Sequence, residues 1–147
     1  MATLPETTTP ISTMAGKGVY LDTSGVLAFL DADDEFHDTS VKAWKRVKAD
    51  GRGFVMTDYV RLECWSLLHR RLGLGAVEDF LSTILPLCRI HAVEEQDFTI
   101  LARQVLLSRR RDLSVVDLSS FDCMRRNGIT HALAFDRHFE EQGFSLP

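Results

Sequence analysis

The sequence predicts a three-layer α/β/α sandwich with a central parallel sheet of about four or five strands, on three observations. From Gly18 onward, short apolar runs alternate with amphipathic stretches of helical length. Those runs are apolar throughout instead of alternating with polar residues, the pattern of strands covered on both faces. The chain has 147 residues, 45% of them hydrophobic and 26% charged, which suits one domain with a substantial core.

The first 17 residues are rich in Thr, Pro and Gly and have little to bury, so 1–17 is expected to be a disordered tail and 18–147 the folded domain. "VYLD" (Val19 to Asp22) is a short apolar run ending in an acid, a buried strand, and "SGVLAFLD" continues as a short helix. Phe36 to Lys48 carries Val41, Trp44 and Val47 at helical spacing, with Lys42, Lys45 and Lys48 between them. "FVMT" (Phe54 to Thr57) is the second strand. A long helix, capped by Thr57 or Asp58 and stopped at Gly73, runs from Asp58 to Leu72. Gly75 to Leu85 reads as helix up to Pro86, and "LCRIHAV" as the third strand. Glu94 to Leu107 and Ser114 to Asn127 are helices, the second stopped by Gly128. "ALAF" (Ala132 to Phe135) is the fourth strand, with Asp136 directly after it.

A net charge of −4 argues against a protein that simply coats phosphates, but it allows an acidic pocket inside a basic rim. No apolar run approaches the length of a membrane span, and a cytoplasmic protein with no membrane association is expected. Cys64, Cys88 and Cys123 are odd in number and widely spaced, so they read as small buried hydrophobes. The five histidines show no paired ligand spacing and read as surface or interface residues.

Four acids stand where a chain usually buries hydrophobic groups. Asp22 and Asp136 follow the first and last strands, and in a parallel sheet ligands bind beyond the carboxyl ends of the strands. Glu63 has Tyr59, Val60, Ser66 and Leu67 at helical neighbour positions, so it falls on or beside the apolar stripe. Asp117 opens its helix next to Val115 and Val116, with Phe121 four residues on. Each has an ordinary explanation: "SVVD" fits a capping box, Asp22 suits a helix cap, Asp136 a turn, and Glu63 a core-edge ion pair. Four such accidents on one sheet edge are a weaker account than one shared site, because burying a carboxylate without a partner costs several kcal/mol. Asp122 lies about 140° around the helix from Asp117 and should face elsewhere. A hard cation is the natural partner for converging carboxylates, and oxygen ligands favour Mg²⁺ or Mn²⁺. Without the cation, mutual repulsion should raise at least one pKa in the cluster.

"VYLDTSGVLAFLD", "TDYVRLECWSLLHRRLG" and "LSVVDLSSFDCMRRNGITHALAFDRHFEEQGF" resemble the PIN domain, and within it the VapC-type toxins of toxin–antitoxin pairs. The resemblance extends from Val19 to Phe144. It implies an acidic quartet of Asp22, Glu63, Asp117 and Asp136, with Asp22 and Asp117 as the main metal ligands and Glu63 and Asp136 completing the shell or orienting water. It further implies a Mg²⁺- or Mn²⁺-dependent endoribonuclease, a homodimer, and silencing by a cognate antitoxin. Ser24, Arg126 and Arg137 are the candidates for contacting the RNA substrate. A housekeeping RNA-processing nuclease and a non-catalytic RNA-binding module of the same fold are the alternatives. A phosphate-accepting receiver would need a lysine at a late strand end, and the last lysine here is Lys48.

Overall fold

A computed structural model describes residues 18–147, and the tail expected at 1–17 lies outside the described residues. Four parallel strands, β1 (Val19–Leu21), β2 (Phe54–Thr57), β3 (Cys88–His91) and β4 (Ala132–Leu133), form one sheet in the order β3-β2-β1-β4. The central strands β1 and β2 are wholly buried, as unbroken apolar runs require, whereas β3 at the edge is only half-buried.

Helices cover both faces: α1 (Thr23–Leu30), α2 (His37–Ala49), α3 (Asp58–Arg71), α4 (Leu74–Asp79), α5 (Glu95–Ser108), α6 (Val115–Arg126) and α7 (His138–Glu141). On one face Trp44 of α2 stacks between Phe29 and Phe54, with ring centroids 4.5 and 4.3 Å away. On the other, Phe121 of α6 meets Phe139 edge-on at 5.0 Å, and the Tyr20 hydroxyl donates to Ser120 Oγ at 2.6 Å. Thr57 caps α3 by accepting from the Val60 amide, and Gly73, at φ 90°, lets the chain leave that helix.

Three expected elements differ, the third strand being trimmed from "LCRIHAV" to Cys88–His91. The helix expected from Gly75 to Leu85 is α only through Asp79; it widens into a π-helical turn at Phe80–Ile84 and tightens into a 3₁₀ turn at Leu85–Leu87. Pro86 has no amide hydrogen to give a regular α ladder, so the backbone bonding changes as the chain approaches it. The fourth strand stops at Leu133 and does not reach Phe135. The Phe135 amide donates to the Ser24 hydroxyl at 3.0 Å instead of to a strand partner. Asp136 therefore sits three residues beyond the strand, at the entrance to α7.

α1 packs closely on β4 because Gly25 has no side chain. A Cβ there would lie 2.3 Å from the Leu133 carbonyl oxygen. A glycine-to-alanine change inside a helix ordinarily gains about 0.5–1 kcal/mol. Here the clash is with backbone, so Gly25→Ala should instead destabilise the protein by about 1–3 kcal/mol, measurable by urea unfolding. A variant as stable as wild type would show that β4 moves aside without strain.

Candidate active site

Asp22 follows β1 and caps α1. Its Oδ2 accepts from the Ser24 amide at 3.2 Å and from the Ser24 hydroxyl at 2.6 Å. Since Ser24 Oγ also accepts from the Phe135 amide, one hydroxyl ties the end of β1 to the segment that carries Asp136. Next along the chain, Thr23 donates its hydroxyl hydrogen to Glu63 Oε1 of α3 at 2.6 Å. Asp117 and Ser114 form the expected capping box: Asp117 Oδ2 accepts from the Ser114 amide at 2.9 Å, and Ser114 Oγ accepts from the Asp117 amide at 3.1 Å. Asp136 Oδ1 accepts from the His138 amide at 3.0 Å, which fixes the turn into α7. Asp22, Asp117 and Asp136 thus have the local structural tasks their ordinary explanations assign, whereas Glu63 accepts from the Thr23 hydroxyl and forms no ion pair among the described residues.

They also share an electrostatic environment. The Asp22 carboxyl is buried, and burial pushes its pKa from 3.8 up to about 6; the Ser24 bonds oppose this, while the charges of Asp117 and Glu63 add to it. Ligand atoms of Asp117, Asp136 and His138 lie within 4.8 Å of one another. The four acids are thereby linked, Glu63 and Asp117 through Asp22 and Asp136 through Asp117. One carboxyl pKa in the group is raised, that of Asp22, and burial rather than repulsion by its neighbours is the largest cause.

The residues fit a hard divalent cation. Carboxylate oxygens dominate the donor set, and the charges of Asp117 and Glu63 bear on the buried Asp22. Asp22 and Asp117, with Glu63 or Asp136, would hold the ion.

His138 was not among the residues expected here. It is buried; its Nε2 lies 2.9 Å from Asp112 Oδ2, and its Nδ1 lies 2.8 Å from Asp136 Oδ1. The second contact is close in distance but misaligned as a hydrogen bond, so Nδ1 is a buried nitrogen without a hydrogen-bond partner. Asp112, then Asp136, raises the His138 pKa above the ordinary 6.5, against the effect of burial. Asp112 is in turn gripped by Arg110 at 3.1 and 2.7 Å, and Arg110 with His138 holds its carboxyl well below the usual range. The available signal was a histidine two residues after a candidate acid, in "DRHF"; a search for paired histidines passes over it.

The remaining candidates are engaged elsewhere or exposed. Arg126 binds Asp97 Oδ1 at 2.9 Å and Asp122 Oδ2 at 2.8 Å, joining α5 to α6. Asp122 accordingly turns to Arg126, as its helical position suggested. The Arg137 side chain is 80% exposed and lies 3.8 Å from Glu141. Asp58 is not the cap of α3; its carboxylate accepts from the Val93 amide at 3.0 Å and anchors the loop after β3. Cys64 and Cys123 are buried thiols and Cys88 is half-buried, none of them in a disulfide.

Comparisons with known proteins agree with this fold. The family model described as PIN domain matches residues 19–145. The 23S rRNA-specific endonuclease VapC20 of Mycobacterium tuberculosis is 36% identical over 132 residues, 86% of this chain and 95% of that protein, in both strain CDC 1551 / Oshkosh and strain H37Rv. The crystal structure of M. tuberculosis VapC20, described as a Sarcin-Ricin loop cleaving toxin, superposes with a TM-score of 0.69 at 31% identity, covering 87% of this chain and 97% of that one.

Proposed function

The chain belongs to the PIN domain family, and from that premise we propose that it is a metal-dependent endoribonuclease acting as the toxin of a type II toxin–antitoxin pair. The observation that carries this reading is the convergence of Asp22, Glu63, Asp117 and Asp136 beyond the carboxyl ends of β1 and β4, with Asp22 raised to about 6 by burial and by two of the other acids. A bound Mg²⁺ or Mn²⁺ would supply charge stabilisation at the phosphodiester and an activated water. The chain's own contribution is placement. Ser24 holds Asp22, Thr23 holds Glu63, and the capping box holds Asp117, so each carboxylate enters the site already oriented. Asp22 and Asp117 serve as the principal ligands, while Glu63 and Asp136 complete the shell or orient water.

The likeness to VapC20 makes ribosomal RNA the first substrate to try. Ser24 remains a candidate for RNA contact through the backbone near Asp22, and Arg137, being exposed, for a phosphate contact. Arg126 would have to leave two carboxylates to do the same.

The whole described unit, 18–147, works as one nuclease domain in the cytoplasm; no helix among the described residues is long and apolar enough to cross a membrane. Its partners are a cognate antitoxin and a second copy of itself. Exposed Leu62 and Trp65 on α3 and Phe98 on α5 border apolar grooves beside Glu63, which suits such protein contacts.

Purified full-length protein, incubated with ribosomal RNA, should cleave it when Mg²⁺ or Mn²⁺ is present and stop when the metal is chelated. Cleavage that persists through exhaustive chelation defeats the proposal. Light scattering on the same sample should give twice the chain mass.

A further inference from the structure

We propose that His138 is itself a ligand of the bound metal, through Nδ1, making the Asp136 side of the site a mixed carboxylate–imidazole position built from Asp117, Asp136 and His138. This rests on the metal-dependent reading above and adds to it a nitrogen donor.

The geometry sets the imidazole's tautomer. Nε2 faces a carboxylate, Asp112 Oδ2, at 2.9 Å. A carboxylate only accepts, so Nε2 carries hydrogen, and a neutral ring then presents a lone pair at Nδ1. That nitrogen is buried and has no hydrogen-bond partner. It points into the group whose ligand atoms lie within 4.8 Å of each other. The nearest atom named for it, Asp136 Oδ1 at 2.8 Å, already accepts from the His138 amide and is misaligned to pair with Nδ1. A lone pair facing a carboxylate oxygen at that distance is repulsive. A cation bound by both atoms turns the repulsion into two bonds.

The surroundings match how metal-binding histidines are held. Their second nitrogen usually donates to a carboxylate, which fixes the ring and strengthens it as a ligand. Here that carboxylate is Asp112, locked in turn by the two bonds from Arg110. The rival arrangement is a doubly protonated His138 forming an ion pair with Asp136. The two make opposite predictions. If His138 is a ligand, removing it weakens metal binding. If it is a competing cation, removing it frees Asp136 and tightens binding.

Imidazole suits Mn²⁺ better than Mg²⁺, which is held mainly by carboxylates and water. The test is calorimetric titration of metal-free full-length protein with Mn²⁺ and, separately, Mg²⁺. For His138→Gln, Mn²⁺ affinity should fall about 10–100-fold, with a smaller loss for Mg²⁺. Asp112→Asn keeps the imidazole but loses its orienting carboxylate, and should fall in the same direction by about 10-fold. Unchanged or tighter Mn²⁺ binding by His138→Gln overturns the proposal.

If that variant does not fold, pulsed electron paramagnetic resonance of Mn²⁺ on the wild type decides. A nitrogen coupling is expected, and its absence overturns the assignment. Wild-type protein that binds neither metal would fail the nuclease reading as well, whereas metal binding without nitrogen coupling fails only the role of His138.

Discussion

Asp117→Asn should fold normally and lose about 10²–10⁴-fold in RNA cleavage. The size follows from what the carboxylate does in the proposed site: metal-assisted charge stabilisation is worth several kcal/mol, and each 1.36 kcal/mol is about tenfold in rate. The fold should survive because an asparagine oxygen can still accept from the Ser114 amide, the bond that Asp117 Oδ2 makes now at 2.9 Å. The stability change should stay within about 1 kcal/mol, the usual range for a cap. Asp122→Asn is the matched control. It removes an acid five positions along the same helix that pairs with Arg126 at 2.8 Å, and it should leave cleavage within a few-fold of wild type. If Asp117→Asn cuts RNA at the wild-type rate, the capping box is the whole role of Asp117.

Asp22→Asn should lose cleavage and, with metal chelated, melt higher than wild type. The sign comes from linkage. A carboxyl whose pKa is higher in the folded state than in the unfolded chain destabilises the fold as pH rises. For Asp22 the penalty is absent below 3.8, grows between 3.8 and about 6, and is complete above that. Its full size is about 3 kcal/mol. Asparagine removes the charge and keeps an acceptor for Ser24, so a gain of about 1–3 kcal/mol is expected at pH 7, or several degrees in Tm. At pH 4 the difference should nearly vanish. Saturating Mn²⁺ should reverse the order, because a ligand at 100 times its Kd stabilises the folded state that binds it by about 2.7 kcal/mol. Thermal melts of both proteins at the two pH values, with chelator and with metal, test each part. A variant that melts lower than wild type in chelator at pH 7 would mean that Asp22 is a satisfied cap and not a strained one. Asp136→Asn is a different case: Asp136 already faces the His138 ring, so neutralising it removes an interaction together with a charge.

Local signals carried most of the architecture. "VYL" and "FVMT" are strands because unbroken apolar runs need cover on both faces, and both are fully buried. Thr57, Ser114 and Gly73 mark helix ends by chemistry that acts within a few residues, and all three do so here. Asp22 was legible as an acid at the end of a buried strand, and its carboxyl is indeed buried, whereas Glu63, Asp117 and Asp136 are half-buried. What escaped depends on partners distant in sequence. β4 ends early because Ser24, 111 residues away, takes the Phe135 amide. His138 matters because Asp112, 26 residues before it, holds its Nε2. Arg126 looked available for RNA because nothing near it in sequence announces Asp97, 29 residues away. No periodicity or motif within a short window encodes such pairings.

The strand order has a consequence for when the protein becomes active. β4 lies at the edge of the sheet beside β1, although the chain between them passes through both other strands. During synthesis, the segment bearing Asp22 leaves the ribosome first and must wait for residues 132–136 before its neighbour exists. Until then Ser24 has no Phe135 amide to receive, and Asp136 and His138 are missing from the site. A nascent or truncated chain that stops before residue 132 therefore presents Asp22, Glu63 and Asp117 without the Asp136–His138 side of the cluster.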